Sequence, residues 1–267
     1  MIRILVQRRW LAALAAATAF FVLCLFLGRW QWGRHVERLA FADAVHRNYA
    51  AAPVSLEQAL PPDGPLPEDR QWTRVRVSGA YDEAGTQFVR NRPQNVTYGY
   101  EVLVPLRLPD GGALMVDRGW VKNSERADVL PRVPGPPPGR VTVTGWLRPG
   151  ESSLGRDLPA GQMASIDLEE AATRTGLPVR QGAYLILQEE DAGTASPPPR
   201  PAALLPPDTD TGPHFAYALQ WWAGSIVGFV IVFVYARREQ HDALVAAGHV
   251  REEPRPKKHR IWDDEDE

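Results

Sequence analysis

Two long apolar runs constrain the fold of this chain more than any other feature of its sequence. Residues 10–27 are 18 consecutive uncharged residues, and residues 215–235 are 21. At about 1.5 Å of rise per helical residue, the runs are roughly 27 and 31 Å long, which is close to the hydrocarbon thickness of a bilayer. Each run therefore predicts a transmembrane helix, and the chain is expected to cross a lipid bilayer twice.

The first run has an alternative interpretation as a secretory signal peptide, because basic residues precede it and alanine is abundant within it. A cleavage site needs small residues after the apolar core. Here the core ends in Phe26, Leu27, Gly28, Arg29 and Trp30. This bulky ending favours a helix that is retained in the mature protein.

Basic residues at the ends of the runs predict the orientation of the helices, because lysine and arginine are enriched on the cytoplasmic side of a membrane. Arg237 and Arg238 follow the second run, and Arg3, Arg8 and Arg9 precede the first. Both termini are therefore expected in the cytoplasm. Arginines directly after the first run count against this orientation.

These helices divide the chain into five predicted segments. They are a cytoplasmic N-terminus (1–9), transmembrane helix one (10–28), an extracytoplasmic β-rich domain with a helical start and a Pro-rich linker (29–213), transmembrane helix two (214–236), and a charged cytoplasmic tail (237–267). The tail is rich in charge and poor in apolar residues, so it is expected to be disordered. The single cysteine, Cys24, lies in the first span, which excludes a disulfide within the chain.

The segment between the spans is dominated by short alternating runs separated by turn residues. Strands are predicted at 72–81, 86–92, 98–108, 113–121 and 140–149, with shorter candidates at "QMASI" and "AYLILQE". One helix is predicted after Asp167, which can cap it, and before Gly176, which can end it. The predicted fold class is an α+β membrane protein, in which two transmembrane helices flank an extracytoplasmic antiparallel sheet or partly closed barrel.

The chemistry that this segment lacks narrows the functional classes. Between His46 and His214 the sequence contains neither histidine nor cysteine. This excludes a Ser-His-Asp or Cys-His nucleophile and the usual zinc sites within the sheet domain. The formal net charge of −2 lacks the basic excess typical of a nucleic-acid-binding domain. A binding or assembly role is therefore favoured over an enzyme, and nucleic acid is not expected as a partner.

The outer ends of the two spans combine histidine, aromatic and small residues. At 100° per residue, one face of the second helix carries His214, Tyr217, Ala218, Trp221, Ser225 and Gly228. If the first helix continues, one of its faces carries Gly28, Gln31, Trp32 and His35. Gly224 and Gly228 form a GxxxG step, which permits close helix approach. Two interpretations stay open: an interfacial aromatic belt beside a helix pair, or a porphyrin site in which imidazole binds iron and Arg29 or Arg34 binds propionates.

Several segments resemble the Surfeit locus protein one family. "LGRWQWGRHVER" resembles the G-x-W-Q-x-x-R signature that ends its first span, and "HFAYALQWW" resembles its motif at the second span. "WTRVRVSGAYD" followed by "VRNRP", and "GYEVLVPLRLPDGGALMVDRGWV", resemble its two hairpins. The segments occur in the family's order and cover about residues 20–236.

The resemblance implies an assembly factor for haem-copper cytochrome c oxidase in a bacterial cell membrane, with the mitochondrial inner membrane as the alternative location. It implies that the protein is not an enzyme. It also implies binding of haem a at the outer membrane edge and its insertion into the catalytic subunit of the oxidase, with haem a synthase as a further partner. Two other functions stay open: a membrane scaffold that stabilises an oxidase subunit without haem, and an anchored extracytoplasmic enzyme.

Carried onto this sequence, the resemblance makes His214 the expected ligand of the haem iron, with Trp222 in place of a usual Phe and Pro213 in place of a common Asn. The expected cofactor-binding residues are His214, Tyr217, Trp221, Trp32, Gln31 and Arg34. Arg118, Gly119 and Trp120 are expected to shape the fold, and a direct docking role for Arg118 is the alternative. His35 lies outside the motifs, so its role as a second ligand is a hypothesis from the helix face alone.

Overall fold

The computed structural model describes residues 6–61, 64–126, 129–194 and 199–248. The chain forms two compact units, one with the residues up to Glu37 and from Thr211 onward, and one with Arg38–Asp210. The described helices are α1 (Arg8–Asn48), α2 (Leu56–Ala59), α3 (Leu168–Thr175), α4 (His214–Ser225) and α5 (Val227–Ala246). The described strands are β1 (Val54–Ser55), β2 (Arg74–Tyr81), β3 (Gln87–Gln94), β4 (Thr97–Arg107), β5 (Ala113–Lys122), β6 (Arg140–Arg148), β7 (Gln162–Met163) and β8 (Tyr184–Asp191).

The first unit is a pair of helices, α1 against α4 and α5. Both arms are long and apolar enough to cross a membrane, as the two apolar runs predict. Their outward faces carry large apolar side chains, and Phe26 is 77% exposed. The buried residues of the pair are mostly small: Ala17, Cys24, Gly28, Ala218, Ser225, Val232 and Ala236. Small residues spaced three, four or seven apart let two helix backbones approach closely.

Only one glycine of the predicted GxxxG step lies at the close approach. A Cβ added to Gly228 would lie 3.3 Å from both Cα and Cβ of Ala17, whereas one added to Gly224 would meet no atom within 4 Å. The second arm is also interrupted at Ile226, between α4 and α5. Just before the interruption, the Ser225 hydroxyl donates a hydrogen bond of 2.6 Å to the carbonyl of Trp222.

The helices extend beyond the spans predicted from apolar composition. α1 continues to Asn48, which confirms the expected helical extension after the first span. α5 continues to Ala246, so residues 237–246 are helical although the sequence predicts a disordered tail there. Long side chains such as Arg238 and Glu239 are good helix formers, which the charge argument overlooks. Residues 249–267 of that tail lie outside the described residues.

The second unit is built on a closed β barrel. Five strands follow one another around it in the order β2–β6–β8–β5–β4. The ring closes where Ala80 and Tyr81 of β2 pair with Arg107 and Leu106 of β4. β3 and β7 extend the sheet from β4, and β1 extends it from β2. Of the two predicted forms, a sheet or a partly closed barrel, the barrel is confirmed, and its closure gives each ring strand a neighbour on both sides.

The barrel is not wholly antiparallel, and this part of the prediction is wrong. β2–β6, β6–β8, β4–β5, β3–β4 and β2–β4 are antiparallel, but β5–β8, β1–β2 and β3–β7 are parallel. A parallel pair needs a long crossover rather than a hairpin. The chain between Lys122 and Tyr184 supplies one, since it contains β6, β7 and α3.

Two apolar clusters stabilise the second unit. The first draws side chains from all five ring strands and therefore fills the barrel, including Val75, Val77, Leu106, Leu114, Val116, Val143 and Leu185. The second lies on the outer face, where α3 packs, and includes Val89, Leu103, Met115, Ile166, Leu168 and Ala171. Alternate residues of β5 thus enter different clusters, so this strand is buried on both faces.

α3 begins and ends as its sequence predicts. The Asp167 carboxylate accepts hydrogen bonds from the backbone N–H groups of Glu169 and Glu170, at 2.9 and 3.1 Å. Gly176 ends the helix in the left-handed conformation, with a φ of 65°. Both ends therefore satisfy backbone groups that a bare helix leaves unpaired.

Candidate functional site

A histidine and a glutamine join the two arms of the helix pair. His214, the first residue of α4, places its Nδ1 2.9 Å from Oε1 of Gln31 on α1. Gln31 is available because α1 continues past Gly28 without interruption. Within the described residues, the second ring nitrogen of His214, Nε2, has no hydrogen-bond partner, so it is the nitrogen that could bind a ligand.

Rings on nearby residues of the two arms pack against one another. The ring centroid of Trp32 lies 5.7 Å from that of His35, 6.0 Å from Phe215 and 5.9 Å from Trp222. His35 and Phe215 are 5.4 Å apart. Such spacings are those of ring pairs in contact. We refer to Trp32, His35, Phe215 and Trp222 as the aromatic cluster.

Gly28 is the small residue that admits Trp222 to this cluster. A Cβ at position 28 would lie 2.2 Å from Nε1 of the Trp222 indole, which is closer than non-bonded atoms can approach. The glycine of the first-span motif therefore serves side-chain packing between the helices. Any larger residue would displace the indole or separate the arms.

The structure brings some of the predicted site residues together and separates others. His214, Gln31 and Trp32 lie on the faces by which the arms meet. Tyr217 is 46% exposed, and neither it nor Trp221 makes a ring contact among the described residues. The contact face of α4 follows Ala218 and Ser225, seven residues apart, which turns Tyr217 to one side.

Arg34 also differs from its predicted surroundings. Its Nη1 lies 3.1 Å from Oε2 of Glu37, one turn along α1, and both side chains are largely exposed. An exposed pair of this kind contributes about 0–1 kcal/mol, so Arg34 can exchange this partner for another anion.

Sequence reasoning missed the packing roles of Phe215 and Trp222. Helical phase alone placed Trp221, its neighbour, on the shared face. The signal that could have identified Trp222 is Gly28, since a bulky residue on one helix needs a small one opposite.

The donor set at His214 fits a haem iron. One imidazole nitrogen is engaged and the other is unpartnered in the described structure. Trp32 and Phe215, which follow Gln31 and His214 in the sequence, supply flat apolar rings of the kind that suits a porphyrin plane. His35 lies in the aromatic cluster, and its buried Nδ1 has no hydrogen-bond partner in the part of the chain that the structure describes.

The Arg-Gly-Trp segment of β5 makes buried contacts that stabilise the second unit. Arg118 is 1% exposed and binds Glu190 of β8 through two hydrogen bonds, of 3.2 Å from Nε and 2.6 Å from Nη2. Its Nη1 donates a third, of 3.1 Å, to the carbonyl of Pro134. So little of the guanidinium reaches the surface that the geometry supports the fold role over the docking role.

Gly119 and Trp120 hold the linker that returns from the barrel. Gly119 has a φ of +132°, and a Cβ there would lie 2.3 Å from the carbonyl oxygen of Ala202. Trp120 pairs with Ala202 through backbone hydrogen bonds of 2.7 and 3.0 Å, and its indole donates to the carbonyl of Arg92 at 2.7 Å. Only glycine can combine this dihedral angle with so close an approach of the Ala202 backbone.

A group of charged residues lies on the outer face of β4 and β5. Arg92 lies between Glu101 and Glu151, 3.0 and 2.5 Å from their oxygens. Desolvation raises the pKa of Glu101 to about 7, although Arg92 opposes the rise. Desolvation, with a further contribution from Glu101, raises the pKa of Asp117 well above its ordinary value.

The fold and the site together define a class: in the sequence, a closed β barrel lies between two helices that are long and apolar enough to cross a membrane, and a histidine and aromatic residues lie where those helices meet. Comparison with known sequences identifies the family within that class. The chain belongs to the SURF1 family, whose sequence profile matches residues 18–226. This is the Surfeit locus protein one family that the motifs indicate, so the resemblance is confirmed.

Relatives match along most of their length. An uncharacterized SURF1-like protein of Mycobacterium tuberculosis (strain ATCC 25618 / H37Rv) is 29% identical over 248 residues, which cover 88% of this chain and 89% of that protein. Its counterpart in Mycobacterium bovis shows the same figures. A SURF1-like protein of Rickettsia bellii is 21% identical over 241 residues, which cover 87% of this chain and 94% of that protein.

Proposed function

We propose that this protein is an assembly factor for haem-copper cytochrome c oxidase, which binds haem a on its helix pair and aids its insertion into the catalytic subunit. Membership of the SURF1 family supports the assembly role. The observation that carries the haem site is the His214 imidazole, which contacts Gln31 through Nδ1 and keeps Nε2 unpartnered among the described residues.

Each residue of the site would have a distinct task. His214 would bind the haem iron through Nε2, and the rings of Trp32 and Phe215 would pack against the macrocycle. Arg34, and Arg29 five residues before it on α1, would bind the propionates, since the Arg34–Glu37 pair is exposed and weak. The haem is cargo in this scheme: the protein protects and orients it, and the oxidase uses its redox chemistry.

The apolar outward faces of the helices support a location in a bacterial cell membrane. We place both termini in the cytoplasm and the barrel on the outer side, following the arginines that flank the spans. The barrel would dock on the catalytic subunit, and haem a synthase would supply the cofactor. The absence of histidine and cysteine from residues 47–213 supports docking rather than catalysis as the work of the barrel.

Gene deletion with complementation tests the assembly role. Deleting the gene in its native host should lower oxidase activity and the haem a absorbance of the membranes, and wild-type protein should restore both. His214→Ala should restore neither, whereas His241→Ala, which removes an exposed histidine from α5, should restore both. If deletion leaves activity and spectrum intact, the assembly role is wrong. If His214→Ala complements fully, a scaffold that acts without haem replaces the haem-binding function.

A further inference from the structure

We propose that Gln31 is a positioning residue that sets the tautomer of His214, so that the ring presents an unprotonated Nε2. This inference rests on the proposed function, and it gives Gln31 a different role from the direct cofactor contact that the sequence predicts. Gln31 would act through the imidazole and need not touch the haem.

The contact is defined by the packing of the two arms. Gln31 Oε1 lies 2.9 Å from His214 Nδ1, and the two residues are 183 positions apart in the chain. One helical turn before Gln31, the indole of Trp222 fills the space that the missing Cβ of Gly28 leaves. Trp32, directly after Gln31, contacts the same indole. The residues of α1 on either side of Gln31 therefore pack against Trp222 of the other arm, and this packing holds Gln31 beside His214.

The chemistry of neutral imidazole makes this contact directional. One ring nitrogen carries the proton and the other carries a lone pair, and only the lone pair can bind a metal. The amide oxygen of Gln31 is an acceptor, so it pairs with a protonated Nδ1 and leaves the lone pair on Nε2. Ligating histidines commonly donate their other N–H in this way, which fixes the ring and raises its basicity.

Glutamine could in principle do the opposite, because its amide nitrogen is a donor. If that nitrogen faced the ring, the proton would move to Nε2 and occupy the coordinating position. Replacing Gln31 by glutamate keeps only acceptor atoms, and replacing it by leucine removes both functions at similar size. These two variants therefore separate the tautomer from the simple joining of the helices.

The first measurement needs no haem. Full-length protein labelled with ¹⁵N-histidine, in detergent micelles and without haem, gives ring-nitrogen spectra in which His214→Ala identifies the signals of His214. Wild type and Gln31→Glu should show a protonated Nδ1 and an unprotonated Nε2. Gln31→Leu should shift the ring towards a mixture of tautomers. Gln220→Leu, which alters an exposed glutamine of α4, should match wild type.

The second measurement is titration with haem, followed in the Soret region. Gln31→Leu should weaken binding roughly 10- to 100-fold, the usual effect of losing a partner of a metal ligand. Gln31→Glu should bind at least as tightly as wild type and lower the midpoint potential of the bound haem, since a carboxylate makes the imidazole more basic. Gln220→Leu should change neither.

The two failures can be told apart. If wild-type His214 is protonated at Nε2, or if Gln31→Leu leaves its tautomer unchanged, the role of Gln31 is overturned whatever the protein binds. If the tautomers behave as expected but wild-type protein takes up no haem, the proposed haem-binding function fails, and with it the purpose assigned to Gln31.

Discussion

Large apolar side chains are buried in the barrel but exposed on the helix pair. In the barrel, Leu106 and Leu114 are fully buried among the five ring strands. On the helix pair, Phe26 and Ile231 point away from the partner arm and are exposed, while small residues line the contact. Even the polar residues differ, since Arg118 and Glu190 satisfy each other in the barrel, whereas His214 keeps one nitrogen without a partner in the described structure.

This difference separates stability from function. In the barrel, polar groups pair with one another, and β5 hydrogen-bonds the return linker at Ala202. Such internal pairing suits a rigid docking domain. The helix pair keeps an imidazole nitrogen, aromatic rings and apolar faces available, which suits a flat, apolar ligand. Substitutions in the barrel should therefore change the free energy of unfolding, and substitutions on the helix pair should change binding.

The largest effect is expected at the buried ion pair. Arg118→Met should lower the free energy of unfolding by about 3–5 kcal/mol, because it leaves the Glu190 carboxylate buried without its partner. Denaturant unfolding of the full-length protein, followed by circular dichroism of the β structure, measures the loss. The double variant Arg118→Met/Glu190→Leu removes both charges and should recover most of it. A loss below 1 kcal/mol in the single variant would contradict the structural role of this pair.

A smaller effect, on the order of 3 kcal/mol, is expected from the titration of Glu101. Its pKa is about 7 in the folded protein and 4.5 as the reference for the unfolded chain. Between these values the folded state holds the proton that the unfolded state has lost, so the free energy of unfolding should fall as pH rises from 4.5 to 7.

Unfolding of wild type and Glu101→Gln over this pH range checks the prediction. The variant cannot ionise at position 101, so its stability should fall less steeply with pH. Parallel curves for the two proteins would show that Glu101 titrates normally, and that desolvation is smaller than the buried position indicates.

Gly119→Ala in β5 should lower the free energy of unfolding by about 2 kcal/mol. Gly119→Ala places a Cβ against the Ala202 carbonyl at a positive φ, so it should destabilise the barrel and release the linker to proteolysis near residue 202. Gly111→Ala is the matched control, because Gly111 also has a positive φ, of 90°, but meets no atom within 4 Å. Equal losses in the two variants would mean that the backbone conformation alone, and not the linker contact, requires Gly119.

The smallest effect is expected within the helix pair, where loss of one close contact should weaken the association of the arms by about 1 kcal/mol. Gly228→Leu should push the arms apart at Ala17, whereas Gly224→Leu meets open space and should not. Pulsed electron paramagnetic resonance between spin labels at exposed Leu23 and Ile231 measures their separation, in a background where Cys24 is alanine. A shift in both variants, or in neither, would contradict the asymmetric contact.

The sequence predicts those features that depend on neighbours along the chain. The apolar runs, the alternating strands and the Asp167 cap are local patterns, and the structure confirms the helices, the principal strands and the cap. The parallel pairing of β5 with β8 was missed, because nothing in either strand records which non-sequential neighbour it meets.

The site was predicted in part for the same reason. His214, Gln31 and Trp32 followed from motifs and helical phase, and they do face the partner arm. Tyr217 and Trp221 make no ring contact in the described structure, and Trp222 packs against the partner arm instead, because the contact face depends on which small residues the two helices bring together. Arg118 meets Glu190 across 72 positions of sequence, a distance over which no periodicity carries information.

Haem uptake by the purified protein tests the central claim most directly. Full-length wild type, His214→Ala and His241→Ala would be purified from a bacterial host that makes haem a, with circular dichroism to show that each retains its helices and its barrel. Wild type and His241→Ala should carry haem a with a Soret band, and His214→Ala should lose it while still folded. A wild-type protein that takes up no haem, or a His214→Ala variant that retains as much as wild type, would contradict the account.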